Sequence, residues 1–315
     1  MEPLLLEHAH AHGIALAPEA ETRLKVRCLQ HAHATAIRTR AIAAVLDALD
    51  AAGIPALVLK GAALAHLVYP SPTLRPMCDV DLLVPPHLAD EAWSVLRRDG
   101  FLPHGKQTSP EYHHLQALAA TVDGATITIE IHRELLRATP FVPPIRYGDL
   151  AGRSQPFAIG ERHAQTLGRE DMLWHVYAHA FVINVLRPGI RLISIADIMA
   201  VVETWADLLD WDRLRRTYPR LVRGLPRIGQ IVPWSPRVER WLGPTRSREP
   251  VSARGISSST GWRDALSSRI WWPDGWWFDV RYGADAAPRR LWHRLVTHPA
   301  SVALAAADTA RRRSV

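Results

Sequence analysis

A chain of 315 residues, 48% hydrophobic and 22% charged, has the balance of a globular protein and the length for two domains, or for one with large decorations. Its apolar runs fall short of the roughly 18 to 20 residues that span a bilayer, and "MEPLLLEHAHAHG" lacks the basic start of a signal peptide, so the expectation is no membrane span and a cytoplasmic location. Two cysteines, Cys28 and Cys78, give no disulfide framework, and the net charge of +7 sits mainly from Arg246 onward, where 12 arginines face 6 acids.

In chain order, "ETRLKVRCLQHAHATAIRTRAIAAVLDALDAAG" predicts one long helix or two, stopped at Gly53. "IPALVLK" predicts a short strand and "GAALAHLVY" a helix opening on Gly61. Three prolines make "PSPTLRP" a loop, and "DVDLLV" follows as a second strand. "PPHLADEAWSVLRRDGF" is a helix with acids early, arginines late and Gly100 as its stop. A helical or irregular piece holding His113 and His114 leads to a third strand, "TITIEIH", over residues 126 to 132. Residues 138–166 are rich in proline and glycine and read as a connector. "EDMLWHVYAHAFVINVL" and "LISIADIMAVVETWADLLDWDRLRR" carry helix-period apolar positions. "GPTRSREPVSARGISSSTG" reads as a linker, and "WWPDGWWFDVRYG" as a hydrophobic anchor. The expected organisation is an N-terminal helical segment (1–50), a mixed core (51–137), a connector (138–166), a helical domain (167–245) and a basic, Trp-rich tail (246–315).

The chemistry concentrates in the two apolar strands that carry acids. Side chains alternate along a strand, so Asp79 and Asp81 share one face about 7 Å apart, while Val80, Leu82 and Val84 face the core. Two carboxylates that close raise each other's pKa unless a cation lies between them, and a hard divalent ion, Mg²⁺ or Mn²⁺, resolves the conflict. In the third strand Thr126, Thr128, Glu130 and His132 share a face opposite Ile127, Ile129 and Ile131. If the two strands are neighbours, three carboxylates converge, as two-metal phosphoryl chemistry requires. A strand ending in Lys60-Gly61 and opening into a helix leaves N–H groups and a positive helix end for phosphate, with Lys60 and Arg75 as further cations.

The ordered combination "LKGAAL", "DVDLLV" and "IEIH" resembles the nucleotidyltransferases of the DNA polymerase β-type superfamily, in particular a bacterial branch with L-K-G, D-x-D and an acid-x-His strand. The likeness covers roughly residues 50 to 210. It implies an α+β fold, a small mixed sheet flanked by helices with a helical second domain. It also implies a metal-dependent transferase that moves a nucleoside monophosphate from a triphosphate (ATP being expected) to an acceptor hydroxyl, with release of pyrophosphate. Asp79, Asp81 and Glu130 would be the catalytic metal ligands, and Gly61 would hold the nucleotide phosphates. Ala62 stands where the superfamily usually has serine, so only its backbone is offered to phosphate. The acceptor, whether protein, peptide, RNA or small molecule, is not specified.

Each assignment has a plainer counterpart. The acid pair could cap a turn, Lys60 and Arg75 could be solvated, and His132 could either orient a carboxylate, bind substrate or be a hydrogen-bonded structural histidine. His175 and His179 have metal-ligand spacing but no acid between them to act as base, so a buried or cleft-lining pair is expected. Cys78 is expected in the core. The basic tail is either a nucleic-acid contact or a solvated surface. A second function follows from Ala62 and that tail: a nucleotide- or RNA-binding module, or an assembly subunit, that keeps the fold without turnover.

Overall fold

The computed structural model describes residues 1–109, 112–137, 142, 144–183, 191–244, 275–283 and 287–313. The chain divides into two units, Met1–Arg137 with Pro143–Gly168, and Ala138–Val142 with Arg169–Val315.

The first unit opens with α1 (Glu2–Ala11) and α2 (Pro18–Ala51), a single helix of 34 residues with proline at its first turn. Its buried stripe, Ile37, Ala41, Ile42, Val45, Leu46 and Leu49, repeats at helical spacing and lies wholly in the second half. Gly53 ends it with φ +70°. Next come β1 (Leu57–Val58), α3 (Lys60–Leu67), β2 (Val80–Leu83) and α4 (Ala89–Arg98). The remaining strands are β3 (Leu102–Pro103), β4 (Leu118–Val122), β5 (Ala125–His132), β6 (Gln155–Ile159) and β7 (Arg162–Thr166), with the short helix α5 (Tyr147–Ala151) before β6. They form one mixed sheet in the order β3-β4-β5-β2-β1-β7-β6. The mixed sheet with flanking helices is the α+β architecture expected.

Two strand pairs escaped the sequence reading. Asp123 (φ +48°) and Gly124 (φ +77°) make a two-residue turn that folds β4 back on β5, the geometry in which both central residues need positive φ. The composition of 138–166 concealed the β6–β7 hairpin, in which Phe157, Ile159, Ala164 and Thr166 are buried and Gly160 turns with φ +62°.

The centre of the sheet positions the site. β2 runs antiparallel to β1 and parallel to β5, with Asp81 opposite Glu130 and Leu83 opposite His132. All four β2 residues are buried, as expected of a strand covered on both faces. In β5, Ile127, Ile129 and Ile131 are fully buried, while Thr126, Thr128 and Glu130 are more exposed, so the predicted alternation holds. Cys78 does not follow it. It is exposed rather than core, because the strand begins only at Val80.

The second unit is helical: α6 (Arg169–Tyr177), α7 (Leu192–Trp205), α8 (Trp211–Thr217), α9 (Pro219–Ile228), α10 (Pro236–Leu242) and α11 (Gly275–Tyr282). Buried Asp171 accepts a 2.6 Å hydrogen bond from the Tyr218 hydroxyl and faces Arg213 at 3.4 Å. A π-helical turn over Ala178–Val182 follows α6 and contains His179, which is less buried than His175 of α6. In α11 the Trp-rich segment buries Phe278, Val280 and Tyr282, and Trp276 donates to Arg227 O at 2.7 Å. The linker expected at 243–261 lies, apart from its first two residues, outside the described residues. Among the described residues no helix is long and apolar enough to cross a membrane.

Candidate active site

Asp81 stands in the middle of β2, 3% exposed. A carboxylate cannot be ionised there without partners, and it has two. Lys60 Nζ lies 3.1 Å from Oδ1, and His132 Nε2 donates to the same oxygen at 2.8 Å. Lys60 comes from the first residue of α3, where the β1–α3 junction holds it at φ +26°. An L-residue rarely adopts that value, and it persists only where the surroundings over-determine it. His132 comes from the end of β5, one strand over.

Glu130, opposite Asp81, is about a quarter exposed. Its Oε2 lies 3.6 Å from His132 Nε2 and 3.9 Å from His114 Nε2. Asp81, Glu130 and His132 form the one group among the described residues that could hold a metal ion, with ligand atoms all within 4.8 Å of one another. Two carboxylate oxygens on adjacent strands suit a divalent cation, and His132 Nε2 would have to give up its proton and its hydrogen bond to Asp81 to add a nitrogen to them. Asp79 is not within that group. It lies just before β2, half-buried, close enough for its charge to be felt by Lys60.

The electrostatics separate the two acids of the D-x-D pair. Burial works to raise Asp81, but Lys60 and the hydrogen bond from His132 outweigh it and hold the carboxyl well below its usual range. Burial and then repulsion from Asp81 push Asp79 up. His132 holds Glu130 below its ordinary value against the effect of burial. Burial also opposes the charged forms of Lys60 and His132, yet both are raised by the surrounding carboxylates.

Gly61 and Arg75 meet beside this cluster. A Cβ added at Gly61 would lie 2.6 Å from Arg75 Nη1 and 3.0 Å from Cζ, so the guanidinium packs directly on the glycine. Arg75 Nη1 also donates to Pro76 O at 2.9 Å. The first N–H groups of α3 lack intrahelical acceptors. Ala62 next to them is 1% exposed, its methyl part of the core. The structure thus gathers Lys60, Asp81, Glu130 and His132 by direct contact, sets Arg75 against Gly61, and leaves Asp79 alongside.

Sequence reasoning gave no role to His114. It sits in an irregular piece held to β5 by a β-bridge between His114 and His132, and only the paired histidines of "YHHL" could have marked it.

Residues 1–221 match the model of a family described as "Uncharacterised nucleotidyltransferase". No curated protein matches the chain. Among solved structures, an antigenic nucleotidyltransferase-like protein from Paracoccidioides brasiliensis is similar over 53% of this chain and 76% of that chain, at 16% identity and a TM-score of 0.36.

Proposed function

The chain belongs to the uncharacterised nucleotidyltransferase family, and from that premise we propose that it transfers a nucleoside monophosphate from a triphosphate, ATP in the first instance, to an acceptor hydroxyl. The observation that carries the reading is the parallel register that sets Asp81 against Glu130, with Lys60 and Gly61 opening a helix beside them. Asp81 and Glu130, with Asp79 next to them, would hold Mg²⁺ or Mn²⁺. A divalent cation in such a site lowers the pKa of the attacking hydroxyl and neutralises charge on the phosphates.

The protein's own groups do the rest. His132 fixes the rotamer of Asp81 through its 2.8 Å hydrogen bond, so that one carboxylate oxygen is already aimed. The N–H groups at the start of α3 and the Arg75 guanidinium bind phosphate oxygens. Lys60, held 3.1 Å from Asp81, would offer its ammonium to the negative charge that develops on the leaving pyrophosphate. The acceptor oxygen bonds to the α-phosphorus, the bond from that phosphorus to the bridging oxygen breaks, and pyrophosphate departs. The hydroxyl proton passes to a carboxylate of the cluster.

The test is incubation with α-³²P-labelled triphosphates and Mg²⁺ or Mn²⁺ against protein, peptide, RNA and small-molecule acceptors, with pyrophosphate release as a second readout. Label should transfer with the wild type and not with Asp81→Asn or Glu130→Gln. Equal transfer by these variants would sink the assignment. Triphosphate binding without pyrophosphate under every acceptor would point to a nucleotide-binding module on the same fold.

A further inference from the structure

In the helical unit, the seam between α9 and α11 is short of acids. Along α9, Arg220, Arg223 and Arg227 recur at helical spacing, and Gly224 among them lets α11 approach, since a Cβ there would lie 3.0 Å from Val280 O. Asp279 of α11 answers Arg227 at 3.3 Å and takes a two-pronged contact from Arg290 at 2.9 and 2.6 Å. Arg220, Arg223 and Arg281 have no carboxylate within ion-pairing distance among the described residues.

These three arginines gather round Tyr282 and Gly283. Arg220 Cζ lies 5.8 Å and Arg281 Cζ 5.4 Å from the centroid of the Tyr282 ring. Arg223 Nε donates to Gly283 O at 2.8 Å. Gly283, at φ +58°, sits so close to α9 that a Cβ on it would be 2.8 Å from Arg220 O and 3.2 Å from Arg223 Cβ. The His293 ring stacks on Tyr282 with centroids 5.0 Å apart. Exposure is graded across the group: Arg281 is 4% exposed, Arg220 half-buried and Arg223 exposed. Arg281 Nη1 donates to Phe181 O, yet its buried Nε makes no hydrogen bond. The faces of Trp277 and Tyr282 soften the burial of that cation without neutralising it. Burial and then the charge of Arg281 both work against the charged form of Arg220. A guanidinium does not shed its proton in a protein, so positive charge held this way calls for an anion.

We propose that Arg220, Arg223 and Arg281 form a binding site for a phosphate group, with Arg281 at its floor and Arg223 at its rim. The planar fork of a guanidinium matches phosphate oxygens, and the graded burial suits a compact oxyanion whose substituent points outward. Free phosphate and the terminal phosphate of a polynucleotide share that chemistry. The site lies within the second unit and owes nothing to the acids of the first.

The test uses the full chain in EDTA, melted in sodium phosphate and in sodium chloride of equal ionic strength. Every tryptophan but Trp93 belongs to the second unit, so tryptophan fluorescence follows its unfolding. Phosphate should raise the melting temperature by several degrees, the mass-action effect of a ligand at about 100 times its Kd. Arg220→Gln removes a repelled charge that makes no hydrogen bond, so it should melt no lower than wild type in chloride and lose most of the phosphate shift. Arg223→Gln, at the exposed rim, should reduce the shift and decides alone if Arg220→Gln does not fold. Arg75→Gln, in the first unit, should keep it. A short single-stranded oligoribonucleotide with and without a 5′-phosphate separates the two sources. A shift that needs the 5′-phosphate marks a polynucleotide end, and a shift with inorganic phosphate alone marks a free anion. No phosphate shift in the wild type, or a full shift in both arginine variants, overturns the proposal, and a shift lost in Arg75→Gln instead moves the anion to the first unit.

Discussion

Neutralising the two acids of the D-x-D pair one at a time should move stability in opposite directions. Asp81→Asn keeps the shape of the side chain but strands the Lys60 ammonium, whose side chain is only 16% exposed, and weakens the anchor of His132. Removing one partner of a buried pair costs about 3–5 kcal/mol. The partial exposure of Lys60 discounts this to below that range, about 2–3 kcal/mol. At roughly 2–4 °C per kcal/mol for a domain of 150–250 residues, the melting temperature should fall by about 5–10 °C. Asp79 is different, since burial and the Asp81 charge raise its pKa. Its ionised form is disfavoured in the fold, and Asp79→Asn should leave stability unchanged or raise it by up to about 1 kcal/mol. Thermal and urea unfolding in EDTA at neutral pH reads both. An Asp79→Asn loss as large as that of Asp81→Asn would refute the argument that Lys60 and His132 serve Asp81 first.

Gly61→Ala should displace only the end of the Arg75 side chain, so unfolding should change by less than about 1 kcal/mol. Triphosphate affinity, measured by calorimetry, should still drop on the order of tenfold, the worth of one charge-assisted hydrogen bond. The stability of the metal-free protein should also depend on pH through His132. Because its folded pKa is raised above the ordinary 6.5, its contribution is complete below that value and lost as pH rises through the folded one. The melting temperature in EDTA should thus decline on the alkaline side, and His132→Gln should flatten that limb. In the helical unit, a Cβ at Gly224 would overlap the Tyr177 hydroxyl and lie 3.0 Å from Val280 O. Gly224→Ala should therefore cost at least about 3 kcal/mol, with partial recovery in the double variant with Tyr177→Phe, read by denaturant unfolding.

What could be read in the sequence was what repeats locally. Ile127, Ile129 and Ile131 announce a strand by period, and so place Glu130 and His132 on its other face. The same rule carried back from Val80 misplaced Cys78, because alternation says nothing about where a strand starts. The Asp123-Gly124 turn was a usable signal for β4, but an Ala-rich "LAATV" gives little strand preference of its own. Proline at 156 hid β6, which tolerates it at the sheet's edge. His114 and the pairing of Lys60 with Asp81 belong to another class. They are fixed by hydrogen bonds and ion pairs between segments distant in sequence, and no window of residues contains them.

The parallel pairing of β2 with β5 has a consequence for the life of the chain before it is folded. His132 and Asp81 are 51 residues apart in sequence, and a parallel pair must wait for its crossover to close. A nascent chain that has not yet delivered residue 130 owns one half of the site and gains nothing from a cation. Once the strands meet, any ion that binds only the finished pair adds its binding free energy to the native state by mass action. Metal in the surroundings would then act as a thermodynamic latch on completed molecules, and chains truncated or misregistered at β5 would pass without it.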